Sequence, residues 1–150
     1  MTSNIDKAQI VARAGELARS YKQAGFHCSE AVVRAVPEAL GFDIPADVVR
    51  AACGFFGGGG GTGGRCGVVE SGIIVISFLY GRMYVSQSTD KAKTVIRALI
   101  REFKQEFGDL ECRNVKAAAV AEHGPEFGCE DVYAHGAELI TGILLDCDEI

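Results

Sequence analysis

Seven of the eight residues from Gly57 to Gly64 are glycine, and the run ends at Arg65 and Cys66. No regular element crosses such a run, because glycine loses more chain entropy on ordering than any other residue. A loop of at least eight residues must therefore interrupt whatever surrounds it. Gly58, Gly60 and Gly63 satisfy a G-x-G-x-x-G spacing, as almost any run this rich in glycine would. A dinucleotide fingerprint also needs a strand before it and a parallel sheet around it. A phosphate loop closes on Lys and then Ser or Thr, where this chain has Arg65 and Cys66. The loop is read instead as a device that turns the backbone tightly, approaches other helices closely and delivers a thiol.

The flanks read as helices. Ile10, Ala14, Leu17, Ala18 and Tyr21 recur at helical spacing up to Gly25, and a second helix opens at Cys28 and meets Pro37 before Gly41. Pro45 suits the start of a third, with Val48, Val49, Ala52 and Cys53 turned inward. The clearest pattern is Ala92, Ile96, Leu99, Phe103 and Phe107, with Ser88 or Asp90 before it and Gly108 after it. Asp109 is expected to cap the next helix. Val132, Gly136, Leu139, Ile140 and Ile143 form a last apolar face. "GIIVISFLYG", residues 72–81, has strand propensity but no partner strand, and a lone strand would leave its backbone groups unpaired. It is read as a central helix buried from Gly72 to Tyr80. The expectation is all-α: a single domain over residues 1–150, of six or seven helices around a buried central one.

Of the 150 residues, 48% are hydrophobic and the formal net charge is −5, with the basic residues dispersed. That balance argues against nucleic acid as a partner. The N-terminal stretch reads as a capped amphipathic helix and not a signal peptide, and no segment is long enough for an integral membrane span. A cytoplasmic protein is expected. Structural disulfides are then disfavoured, which makes six cysteines conspicuous: Cys28, Cys53, Cys66, Cys112, Cys129 and Cys147. None forms C-x-x-C or C-x-x-C-H, so zinc knuckles and covalent haem are not indicated. Cys28, Cys66, Cys112 and Cys129 each fall at or near a predicted helix start, where free N–H groups and the positive dipole end favour thiolate. Cys53 and Cys147 fall on apolar helix faces and are read as packing residues.

These segments resemble a known family of redox-active proteins named for the pattern C-GCAxxG-C-C. "GFHCSEAVVRAV" is similar to its first cysteine segment and "CGFFGGGGGTGGRCGVVESG" to its glycine-rich segment. "FKQEFGDLECRNV" and "CEDVYAHGAELI" are similar to its last two. Val68 and Ser71 are larger than the residues of the family motif. The resemblance marks Cys28, Cys66, Cys112 and Cys129 as the functional cysteines. It implies a thiol oxidoreductase that passes electrons by thiol–disulfide exchange. The same four thiolates could instead be ligands of an iron–sulfur cluster or another metal. A third alternative is an interaction domain whose cysteines only pack. The expected partner is a redox protein or a small thiol, and a homodimer is allowed for.

Within the site, Cys66 is expected to be the most acidic thiol, since a helix start, Arg65 and a flexible, accessible glycine run act together. Glu111 and Glu130 oppose ionisation of Cys112 and Cys129, and Cys28 has only His27 beside it. Glu70 is read as an exposed first-turn charge rather than a proton acceptor. His27, His123 and His135 are read as surface or satisfied core residues rather than ligands.

Overall fold

The computed structural model describes residues 4–147. Its helices are α1 (Asn4–Gln23), α2 (Cys28–Leu40), α3 (Ala46–Ala51), α4 (Gly67–Tyr80), α5 (Asp90–Phe107), α6 (Cys112–His123) and α7 (Glu130–Leu145), with a 3₁₀ segment over Ala52–Gly58. The fold is all-α. Among the described residues the one extended pairing is an isolated bridge between Arg65 and Glu111.

Local chemistry sets the helix ends. The His27 N–H donates to the Glu30 carboxylate at 3.1 Å, occupying a backbone donor at the entry to α2. Gly41 ends α2 and Gly108 ends α5 in the left-handed conformation, at φ of 82° and 81°. Pro37 lies within α2 and is buried, and the helix continues past it to Leu40. The Asp90 N–H donates to Ser88 Oγ at 3.0 Å as α5 begins. Asp109 does not cap α6. Its carboxylate accepts from the N–H groups of Leu110 and Glu111, at 2.7 and 2.8 Å, and shapes the turn that precedes the helix. The N-cap position belongs to Glu111.

α4 is central, packing against α2, α5 and α7, while α1 lies along α7 and α2. Leu99 and Phe103 of α5, Ile140 and Leu144 of α7, and Val68, Val69, Val75 and Ile76 of α4 meet in one buried cluster. Removing a side chain such as Leu99 from such a core costs about 2–5 kcal/mol. The helices come close because one of them lacks a side chain: a Cβ on Gly136 of α7 would overlap Val68 Cγ1. Val68 thereby fills a notch in the facing helix and is fully buried. Ser71 is buried too, and its hydroxyl donates to the Ser29 carbonyl at 2.7 Å. The two bulky departures from the family motif are thus accommodated, one by a missing Cβ and one by a hydrogen bond.

The expected full burial of residues 72–80 holds only in part. Gly72, Val75 and Ile76 are buried, Ile73, Ile74, Leu79 and Tyr80 are half-buried against the core, and Ser77 and Phe78 are exposed on the helix's outer face. Phe78 stacks there on Phe42, with ring centroids 6.1 Å apart. The exposed turn that follows places Met83, Tyr84 and Val85 in solvent.

Candidate functional site

The glycine run is a folded loop closed on itself. The N–H groups of Gly60, Gly63 and Gly64 donate to the carbonyls of Gly54, Gly57 and Gly58, at 2.9, 2.9 and 3.1 Å. Gly57 to Gly61 and Gly63 all have positive φ, which side-chain-bearing residues rarely adopt. A Cβ on Gly58 would strike the backbone of Gly64. The glycines here serve a compact, hydrogen-bonded turn, with positive φ and the close approach of Gly58 to Gly64 requiring them.

This loop fastens α6 to the rest of the molecule. Cys66 N–H donates to the Leu110 carbonyl at 2.8 Å and Cys112 N–H to that of Gly64 at 2.6 Å. Arg113 Nε–H adds a bond of 3.0 Å to the Gly63 carbonyl. These bonds lay the chain before α4 beside the chain entering α6, so that two cysteines distant in sequence become neighbours.

Cys28 is the first residue of α2 and Cys112 the first of α6, while Cys66 and Cys129 are the N-cap residues of α4 and α7. All four line one cavity of about 440 Å³. Its walls include the His27 and Phe56 rings, Val68, Val115, Val132, Tyr133, Arg113 and Lys116. The His27 ring stacks on Phe56 at 4.6 Å. All six cysteines are free thiols. Cys53 and Cys147 are not among the lining residues. Cys147 is half-buried, and its thiol donates to the Ile143 carbonyl at 3.4 Å. Cys53 is exposed, contrary to the expectation that it packs inward. The α-helix ends at Ala51, and the tighter 3₁₀ turn after it rotates Cys53 off the face set by Val49.

Burial dominates the electrostatics. Cys66 is 5% exposed, and burial pushes its pKa up to about 12. The Val68 and Val69 N–H groups face its sulfur without forming a cap hydrogen bond and act in the opposite direction, while Cys28 and Cys112 raise it further. Arg65 does not activate it, since that guanidinium pairs with Glu70 at 3.4 Å. Cys66 is therefore not the most acidic or accessible thiol. Desolvation overrides the helix end, and the neighbouring cation faces elsewhere. Glu70 is half-buried, and burial raises its pKa against the pull of Arg65.

Burial also raises the Cys28 thiol, opposed by the N–H groups of Gly57, Ser29 and Cys28 itself. For Cys129 burial is again the main cause of a raised pKa, with Cys112 and Cys28 adding to it and Lys116 and Lys22 relieving it. The Tyr133 phenol is shifted upward by burial and by the surrounding thiols, so it remains a neutral O–H group. Among the described residues, no three or more His, Cys, Asp or Glu side chains are grouped so as to hold a metal ion.

Of the histidines, only His27 reaches the cavity. His123 pairs with Asp131 at 2.9 Å, and Arg19 donates to the same carboxylate at 2.6 Å. This network ties down the first turn of α7, two residues beyond Cys129. The sequence reading missed Arg113, Lys116, Phe56 and Tyr133 as cavity residues. For two of them the signal was present: Lys116 lies four residues after Cys112 and Tyr133 four after Cys129, on the same helix faces.

The family model described as Putative redox-active protein (C_GCAxxG_C_C) matches residues 26–143. No curated protein and no solved structure matches the chain. The matched span contains all four cavity cysteines and most of the described fold, and the chain belongs to the C_GCAxxG_C_C family of redox-active proteins.

Proposed function

We propose that the chain is a thiol–disulfide redox protein that works through Cys28, Cys66, Cys112 and Cys129. One observation carries this reading: four free thiols from four different helix starts share one cavity. A cavity thiolate attacks one sulfur of an external disulfide, whose S–S bond breaks as the other sulfur leaves and takes up a proton. A second cavity thiolate then attacks the mixed disulfide and releases the remaining thiol. Two cavity thiols are oxidised to a disulfide, and two electrons and two protons pass to the external one. Cys112 and Cys129, half-buried beside Arg113 and Lys116, suit the first attack. Cys66 lies deeper in the cavity, beside Cys28 and Cys112, and is placed for the second, which it makes only after giving up its proton.

The metal reading of the same residues has no support from their arrangement. The test is a redox titration of protein carrying Cys53→Ser and Cys147→Ser, with alkylation of free thiols and mass spectrometry at each potential. Loss of two thiols among Cys28, Cys66, Cys112 and Cys129 in one reversible two-electron step is expected. Four thiols that remain free under every oxidising buffer would overturn the reading, as would stoichiometric iron and sulfide in anaerobically purified protein.

A further inference from the structure

Charge is distributed unevenly around the cavity. The chain has 20 acidic and 15 basic residues, yet no Asp or Glu lines the cavity, while Arg113 and Lys116 do. Both are exposed and sit on the same helix as Cys112, so they stand at the rim rather than in the interior. Lys22 adds a third cation within electrostatic reach of Cys129, with its ammonium 5.9 Å from the centre of the Tyr133 ring. The N-terminal ends of α2, α4, α6 and α7 converge here with the same sign. Behind the rim the walls are apolar and aromatic: Phe56, Val68, Val115, Val132 and Tyr133. A volume of about 440 Å³ falls within the range of small-molecule sites, roughly 300–1,000 Å³. The deepest sulfur, that of Cys66, is almost inaccessible from outside.

Resting on the thiol-exchange reading above, we propose that the substrate is a low-molecular-weight disulfide bearing a negative charge, with Arg113 and Lys116 as the residues that select the charge. A small disulfide can enter a recessed cavity, whereas a disulfide on the surface of a folded protein is held off by its own bulk. An anionic group placed at the rim sets the S–S bond inward, toward the thiols. The rim cations also draw anions toward a molecule whose net charge of −5 would otherwise repel them.

The test compares two chromogenic aromatic disulfides: 5,5′-dithiobis(2-nitrobenzoate), which has two carboxylates, and 2,2′-dithiodipyridine, which is neutral. Reduced protein carrying Cys53→Ser and Cys147→Ser reacts with each at low ionic strength. The same protein unfolded in urea gives the reference ratio for thiols without a cavity. In the folded protein the anionic-to-neutral rate ratio should exceed the reference at least about tenfold and fall toward it as salt screens the rim. Lys116→Glu should lower the ratio at least about fivefold. A ratio at or below the reference, with both probes reacting, overturns the proposal and leaves the thiol-exchange reading standing. A ratio unmoved by Lys116→Glu also overturns it. If a folded carrier protein bearing the mixed disulfide of 5-thio-2-nitrobenzoate reacts as fast as the free probe, the small-molecule assignment fails. If native protein reacts with neither probe while the urea-unfolded chain reacts with both, the thiol-exchange reading itself fails.

Discussion

The sulfur of Cys28 rests in the space that a side chain on Gly67 would occupy: a Cβ there would lie 2.5 Å from it and 3.0 Å from the Phe55 carbonyl. The first thiol of the chain is thus seated against the first residue of α4, one position beyond Cys66. Gly67→Ala should destabilise the protein by about 1–3 kcal/mol through overpacking. It should also drive the Cys28 sulfur outward and speed its alkylation. Placing the same substitution in a Cys28→Ala background should recover part of the loss, as read by urea denaturation of the four proteins in a double-mutant cycle.

Cys66 should alkylate last of the four. With its pKa near 12, native protein at pH 8 should modify there at least about a hundredfold more slowly than the urea-unfolded chain, whose thiols have a pKa of about 8.5. Linkage gives the accompanying sign. The folded pKa is raised, so this group's contribution to stability is full below about 8.5 and is lost as pH rises toward 12. Cys66→Ala should lack that alkaline slope. Peptide-resolved alkylation kinetics and denaturation at several pH values check both outcomes.

Val68 and Gly136 form a second seat. Gly136→Ala should cost about 1–3 kcal/mol because its methyl group enters the space of a fully buried side chain. Val68→Ala removes the obstructing methyl groups, so the double variant should be more stable than the sum of the single changes implies. Thermal unfolding of the three variants measures this.

The start of α7 should be acid-sensitive. The hydrogen bond from Arg19 holds the Asp131 carboxyl below its ordinary pKa. A depressed folded pKa stabilises the protein above the unfolded value, about 3.9, and the contribution is lost as pH falls through the folded one. Both partners are about one-third exposed, so Arg19→Gln should cost at most about 1 kcal/mol at pH 7. The difference from the parent should vanish near pH 2. Denaturation curves at the two pH values decide it.

The helices were legible because their apolar residues recur with the helical period, as Ala92, Leu99 and Phe103 do on α5. The cysteines at helix starts were legible for a related reason, since Gly25, Gly64, Gly108 and Gly128 mark the breaks before them. Depth was not. A helix start reads the same in sequence whether solvent or another helix lies over it, so the burial of Cys66 and the acidity it loses could not be inferred. Nor could the partner of Arg65 be chosen: Cys66 is adjacent in sequence, but Glu70 is one turn along and faces it. Cys53 was misplaced because the change from α to 3₁₀ winding leaves no mark in the spacing of Val49 and Ala52.

The long packing of α1 along α7 has a consequence for how the protein is made. Cys28 and Cys66 leave the ribosome well before Cys129, and the helix that Cys129 begins must find its partner in α1, far earlier in the sequence. Contacts between such distant segments form late and slowly. The cavity therefore comes into being only after Cys129 and the helix it opens have been made. A nascent or truncated polypeptide would have the thiols without the chamber that orders them.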